Sequence, residues 1–245
     1  MYVQLKNWAK RIVPNQWLRK HEGFLRGLIA LQYKGKTYQC NVCGYALRAF
    51  IELEDKGKLC PNCGSLARTR YLWQFLLDAI GLKDKVVLHF SPPKKISQRL
   101  KRSGVKEYVT TDFENEFTAD KQLNIEEIDE RDAVYDLIIC FHVLEHIEND
   151  RKAMAELYRI LKPGGRCLVQ TPFKEGAIYE DADISTPEAR LKHFGQEDHV
   201  RVYSVNGLEQ RLQSVGFKVT RHTNTAAATN FHGFPKQLTL LIAEK

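Results

Sequence analysis

Residues 135–173 read YDLIICFHVLEHIENDRKAMAELYRILKPGGRCLVQTPF, and the fold turns on how this stretch divides. Leu137–Cys140 is a short apolar run of the kind found in a buried strand. Asn149 or Asp150 can cap a helix in which Ala153, Met154, Leu157, Ile160 and Leu161 form one buried stripe. KPGG then stops that helix, so Gly164 and Gly165 read as turn residues, and RCLVQ (166–170) is a second strand. Strand, helix and strand in this order form the unit of a parallel sheet.

The same alternation continues on both sides. Upstream lie strand-like KVVLHF, helical KKISQRLKRSG, strand-like EYVTTDF and a loop through Asn124 to Asp132; downstream, NGLEQRLQSVGFKVTRHT and KQLTLLIAE supply a helix and two strands. The expected class is α/β, a Rossmann-like sheet covered on both faces by helices, with ligands outside the carboxyl ends of the strands. Residues 174–201, rich in charge, Gly and His, are too long for a plain connection and read as a substrate lid. Ahead of the sheet, LARTRYLWQFLLDAIGL places Leu72, Phe75, Leu76, Ala79 and Ile80 on one helical face and ends at Gly81.

Cys40, Cys43, Cys60 and Cys63 lie in CNVCG and CPNCG, a C-x2-C-x16-C-x2-C pattern. Two thiolates three positions apart can grip one metal from a tight knuckle, and Gly44 and Gly64 follow where the backbone must take positive φ. Four thiolates close a tetrahedron with no open position, which predicts a structural zinc ribbon, with iron as the next choice. A pair of disulfides competes, but nothing marks the chain as secreted. Cys140 and Cys167 fall in apolar runs and read as small core residues.

A chain of 245 residues accommodates one sizeable domain and a small accessory module, here a basic N-terminal segment (1–36), a ribbon (37–70) and a sheet domain (71–245). No run approaches the roughly 18 apolar residues of a membrane span, and no signal peptide is evident, so a cytoplasmic location is expected. The net charge of +7 is uneven: residues 1–36 hold eight basic side chains against Glu22 alone, and the remainder balances. In that segment Trp8, Ile12, Val13, Trp17, Leu18, Phe24, Leu25, Leu28 and Ile29 interleave with the cations, broken at Pro14. Two readings stand: attachment to an acidic surface, either RNA or lipid headgroups at the inner membrane face, or packing on the body with the charges in water.

VVLHFSPP, YVTTDF, YDLIICFHVLEHI and LKPGGRCLVQTPF, in this order, resemble the class I S-adenosylmethionine-dependent methyltransferases of the type 11-like group over residues 71–245. RLKHFGQEDHVRVYS is similar to a segment of those members that carry an N-terminal cysteine ribbon. The resemblance implies S-adenosylmethionine as cofactor, with Asp112 accepting hydrogen bonds from the ribose hydroxyls. It places Asn124 near the adenine amino group and sets Phe141 and His142 beside the cofactor. It also exposes a departure: His89 stands where an acidic residue is usual, and Ser91 and Pro93 replace glycines. Proline offers no N–H, so the turn cannot hold the methionine moiety through those amides. Either backbone carbonyls, His89, Ser91 or Lys94 hold it instead, or the cofactor site is lost.

Methyl transfer to a hydroxyl or protonated amine needs an aligned acceptor and a base. The histidine candidates are His142, His146, His193 and His199, with Asp198 able to orient a neighbouring imidazole. HVLEH suggests a second arrangement, in which His142, Glu145 and His146 at i, i+3 and i+4 converge on a second divalent metal, with His199 as a distant fourth ligand. Related methyltransferases of coenzyme Q synthesis and of small-RNA 3′ ends use a comparable Glu-x-x-Glu-His set. The expected reaction is methylation, at oxygen, of a small polar acceptor such as a sugar or glycan precursor. RNA methylation and a non-catalytic binding protein on the same fold remain the alternatives.

Overall fold

A computed structural model describes residues 15–53, 57–112 and 119–245, apart from the side chains of residues 15, 16 and 18–20. Contacts divide the chain into two compact units, one running to Gly81 and including Thr225–Leu238, the other formed by Leu82–Asn224 and Thr239–Lys245.

The first unit opens with helix α1 (Asn15–Leu31), directly after Pro14; the part of the basic segment before residue 15, with Trp8, Ile12 and Val13, lies outside the described residues. Strand β1 (Lys34–Gln39) pairs antiparallel with β2 (Ala46–Leu47), and β3 (Ile51–Leu53) with β4 (Gly57–Leu59). Helix α2 (Ala67–Phe75) widens into one π-helical turn, Leu76–Ile80, closed by the Gly81 N–H donating to the Leu76 carbonyl at 3.1 Å. Leu72, Phe75 and Leu76 are buried as the helical period requires, whereas Ala79 is exposed and Ile80 half-buried. The wider turn changes the angular step, so a stripe counted at 3.6 residues per turn loses its last two members.

Arg70 explains why the unit extends past the ribbon. Its guanidinium is fully buried and donates to the carbonyls of Ser65 (2.5 Å), Lys58 (3.0 Å), His232 and Gly233 (both 2.7 Å), with the Phe50 ring 4.1 Å away. Tyr71 meets Phe234 edge-on at 5.7 Å. The boundary expected between residues 70 and 71 therefore falls inside a helix that serves both the ribbon and the 225–238 segment.

The second unit is built on a six-stranded sheet whose strands lie in the order β11 (Lys218–Thr225), β12 (Gln237–Glu244), β8 (Leu161–Gln170), β7 (Tyr135–Phe141), β5 (Val86–Phe90) and β6 (Glu107–Thr111). Strands β5, β6, β7 and β8 are parallel, and β12 pairs antiparallel with β8. Helix α3 (Lys94–Leu100) joins β5 to β6, and α4 (Asp150–Ile160) joins β7 to β8. The Asn149 side chain caps α4 by accepting from the Lys152 N–H at 3.2 Å. Leu88, Ile138, Met154 and Leu157 pack in one core, which also takes Cys140 and Cys167; burial pushes both thiols well up, as suits inert core residues.

KPGG differs from the expected turn. Two steps along β7, Tyr135 to Leu137, face five along β8, Leu161 to Arg166, so these residues form a bulge at the start of the strand. Gly164 takes φ +73° there, and its N–H donates to the Lys245 carbonyl at 2.8 Å.

The expected lid is not structureless. Strand β9 (Tyr179–Glu180) pairs antiparallel with β10 (Arg201–Val202), and helix α5 (Pro187–Phe194) lies between them. Helix α6 (Val205–Ser214) and β11 (Lys218–Thr225) complete the unit. The signals for α5 are present in the sequence: Thr186 caps it, Pro187 occupies its first turn, and Gly195 ends it at φ +88°. Among the described residues, no helix is long and apolar enough to cross a membrane.

Candidate active site

Strand β5 has β6 on one side and β7 on the other, so the chain reverses its direction of travel across the sheet at β5. A crevice opens outside the carboxyl ends of the strands at such a point. Ser91 follows β5, Asp112 follows β6, and Phe141 ends β7 with His142 directly after it.

The β5 turn keeps glycine-like geometry without glycine. Ser91 takes φ +44°, its N–H donates to the Thr111 carbonyl at 2.7 Å, and its hydroxyl donates to Asp112 Oδ1 at 2.8 Å. With that amide engaged and Pro92 and Pro93 lacking N–H groups, the turn presents side chains rather than amides. Asp112 is buried, and its carboxylate already accepts one hydroxyl, which is the chemistry a ribose requires. His89 is placed differently from a charged anchor. It is 1% exposed, lies 3.0 Å through Nδ1 from the Tyr108 hydroxyl, and burial drives its pKa down to about 3. A neutral imidazole there cannot act as the counter-charge of a methionine carboxylate. Asn124 Oδ1 accepts from the Glu126 N–H at 3.0 Å, closing a local turn.

Beyond β7 the backbone is strained and then tightly turned. His142 takes φ +56°, and a 3-10 turn follows over Leu144–His146. This turn and the segment before β10 bring Glu145, His146 and His199 together, with one ligand atom from each within 4.8 Å of the others. Both Glu145 carboxylate oxygens and His199 Nε2 are buried without an aligned hydrogen bond, although His142 Nδ1 stands within ion-pair distance of Glu145 Oε1. His199 Nδ1 faces the Phe194 carbonyl at 3.3 Å, which fixes the proton on Nδ1 and leaves the Nε2 lone pair free to ligate. Burial lowers the His199 pKa, favouring the neutral ring that a metal needs. His146 Nδ1 lies 3.0 Å from Asp198 Oδ2, a carboxylate–histidine pair of the kind that orients ligands. His142 stands beside the group, its Nδ1 3.2 Å from Glu145 Oε1, whereas His193 is bonded to the Tyr179 hydroxyl at 2.7 Å and lies outside it.

Arg201 is the positioning residue that the sequence pattern does not single out. Its guanidinium donates to the carbonyls of Leu144 (3.3 Å), Ile147 and Glu148 (2.9 Å), while the Val200 N–H donates to the Glu145 carbonyl at 2.9 Å. Glu180 accepts from Arg201 at 2.8 Å and from Arg211, and these partners, Arg211 first, hold its pKa down to about 2. Beside this network lies a cavity of about 380 Å³ lined by charged groups of both signs, among them Glu148, Asp150, Arg190 and Arg211.

The family described as methyltransferase domain matches residues 71–222. The chain belongs to the methyltransferase domain family. A probable S-adenosylmethionine-dependent methyltransferase of Mycolicibacterium smegmatis is 32% identical over 39% of this chain and 34% of its own length. A ubiquinone biosynthesis O-methyltransferase of Rickettsia conorii is 40% identical over 20% of this chain and 17% of its own. The matches to these curated relatives thus span about a third of their length or less. The fold is similar to an S-adenosylmethionine-dependent methyltransferase of Mesorhizobium loti, with a TM-score of 0.53 at 12% identity over 71% of this chain and 97% of that one. The crevice at β5 and β6 thus lies within the part of the chain that the family matches, with the Asp112 carboxylate and the Ser91 hydroxyl at its strand ends.

The cysteine knuckles are equally consistent with a metal. Cys40 and Cys63 Sγ are 3.7 Å apart, and Cys43 and Cys60 Sγ 3.8 Å, close to the edge of about 3.8 Å that Zn–S bonds of about 2.3 Å give a tetrahedron. Gly44 and Gly64 take φ of +75° and +74°, each donating its N–H to the carbonyl of the cysteine four residues before it. Ser65 Oγ lies 3.2 Å from Sγ of both Cys40 and Cys63 and can donate to a thiolate.

Proposed function

We propose that the protein transfers a methyl group from S-adenosylmethionine to a hydroxyl of a small polar acceptor, with a divalent cation at Glu145, His146 and His199 and a structural zinc at the four cysteines. The observation that carries this reading is the buried Glu145 carboxylate, which makes no aligned hydrogen bond and has only His142 Nδ1 nearby at 3.2 Å, beside the buried Nε2 of His199, with His146 completing the group. A buried carboxylate whose nearest donor is poorly aligned is costly, and a cation removes that cost.

In the reaction the sulfonium S–CH3 bond breaks as the C–O bond forms, and the acceptor hydroxyl loses its proton. A divalent ion, when bound, supplies Lewis acidity that lowers the pKa of such a hydroxyl. Asp198 orients His146, Arg201 fixes the 144–148 segment, and His142, held against Glu145, is the group placed to take the proton. Asp112 and Ser91 orient the ribose and so aim the methyl. The charged lining and modest volume of the cavity beside Arg201 suit a compact polar molecule such as a sugar or glycan precursor.

Mn²⁺ binding followed by electron paramagnetic resonance tests the metal assignment. One site per chain, lost in Glu145→Gln and His199→Ala while S-adenosylhomocysteine binding persists, supports it. Equal Mn²⁺ binding in the variants sinks the cation reading, and absence of S-adenosylhomocysteine binding to the folded wild type favours a non-catalytic binding protein.

A further inference from the structure

Helix α1 is held to the first unit by one face. Ala30 is buried, its carbonyl accepts from the Tyr45 hydroxyl at 2.9 Å, and Arg26 lies so close to Gly64 that a Cβ there would stand 2.8 Å from its guanidinium carbon. The opposite face is apolar and uncovered: Trp17 is 47% exposed, Phe24 69%, Leu28 50% and Leu31 65%. At about 100° per residue, these four positions and His21 fall within an arc of about 80°. The Trp17 and His21 rings stack at 4.2 Å, extending the stripe without a break.

Charge decides what can cover this stripe. Residues 1–36 carry eight basic side chains against Glu22 alone, while the rest of the chain is balanced. Lys34 and Lys36, directly after the helix, are exposed. A second copy of this chain would bring two such segments together, and the cations would repel. RNA would accept the charge, but Leu28 and Leu31 offer no ring for a base to stack on. An anionic bilayer surface satisfies both features, since headgroups attract the cations and the acyl boundary takes the apolar stripe.

We infer that α1 is a docking helix for membranes bearing anionic lipids, with Trp17, Phe24, Leu28 and Leu31 entering the headgroup boundary. This surface is independent of the methyl-transfer reading. Co-sedimentation of the zinc-loaded full chain with vesicles of phosphatidylcholine, or of phosphatidylcholine with 30% phosphatidylglycerol, tests it at about 0.15 M salt.

The expected result is partitioning to the anionic vesicles, about tenfold or more weaker in Trp17→Ser/Phe24→Ser/Leu28→Ser, which keeps every charge. Zinc content and S-adenosylhomocysteine affinity report whether that variant is folded. If it is not, quenching of Trp17 emission by brominated lipid in a Trp8→Phe chain gives the answer instead, because Trp73 is buried. No partitioning of the wild type, equal partitioning of the folded triple variant, or no quenching overturns the proposal. So does a dimer that the triple variant dissociates while neither protein binds vesicles, or binding to a 30-nucleotide RNA with none to lipid.

Discussion

At the scale of single residues, Asp112 and His89 make opposite uses of burial. Asp112 keeps a carboxylate at the crevice, accepting from Ser91. Its replacement by Ala removes charge-assisted hydrogen bonds worth about 1.5–3 kcal/mol, so calorimetric titration should show S-adenosylhomocysteine affinity falling by about ten- to a hundredfold. His89 is held neutral, with a pKa near 3 in the folded chain caused by burial. Unfolded, it protonates near its ordinary value of about 6.5, so between these values the unfolded state binds the extra proton. Stability is then complete above about pH 6.5 and falls with decreasing pH, at a slope approaching about 1.4 kcal/mol per unit for this one group. Carboxylates held low by hydrogen bonds, such as Asp120 and Asp136, act in the same direction at lower pH. Urea unfolding at pH 7.5 and 5.5 separates the two: His89→Gln should reduce the loss, and an unchanged difference would remove His89 as its source. His89 was legible as a departure from the family pattern, but its neutrality follows from strand pairing on both sides of β5, which the local sequence does not state.

At the scale of elements, two buried arginines do what short-range propensity cannot. Arg70 satisfies four carbonyls drawn from 58–65 and 232–233, segments far apart in the chain. Arg70→Met leaves those carbonyls without their donor, and a loss of at least about 3 kcal/mol is expected in urea unfolding followed by fluorescence. Arg201 ties β10 to the turn that bears Glu145 and His146. Arg201→Met should therefore weaken Mn²⁺ binding by about tenfold or more while leaving S-adenosylhomocysteine affinity within about twofold, a split that a global loss of structure would not produce. The α5 helix belongs to the same scale. Its Thr186-Pro187 start and Gly195 stop are local signals, and charge across 174–201 masks them when the segment is read by composition alone.

At the scale of the whole molecule, the metal knuckles and the sheet sit in separate compact units. Metal analysis is expected to find one zinc per chain, and its removal by a chelator should lower the unfolding midpoint by several degrees, because ligand binding to the folded state is itself folding free energy. A midpoint unmoved by chelation would mean that the cysteines hold no structural ion. The sequence by itself determined the α/β class, the order of strands and helices around 135–173, and the cysteine knuckles, because each rests on short-range periodicity, capping or fixed spacing. It also placed Ser91 and Asp112 at strand ends. His199 was named from the sequence as a distant fourth member beside His142, Glu145 and His146; only the tertiary structure showed that Glu145, His146 and His199 are the three whose ligand atoms converge. Only it showed that KPGG bulges within β8, that α2 closes with a π turn, and that 225–238 belongs with the ribbon. Each of these depends on which distant backbone groups meet, and a linear pattern carries no record of which partner a buried donor or ligand atom will find.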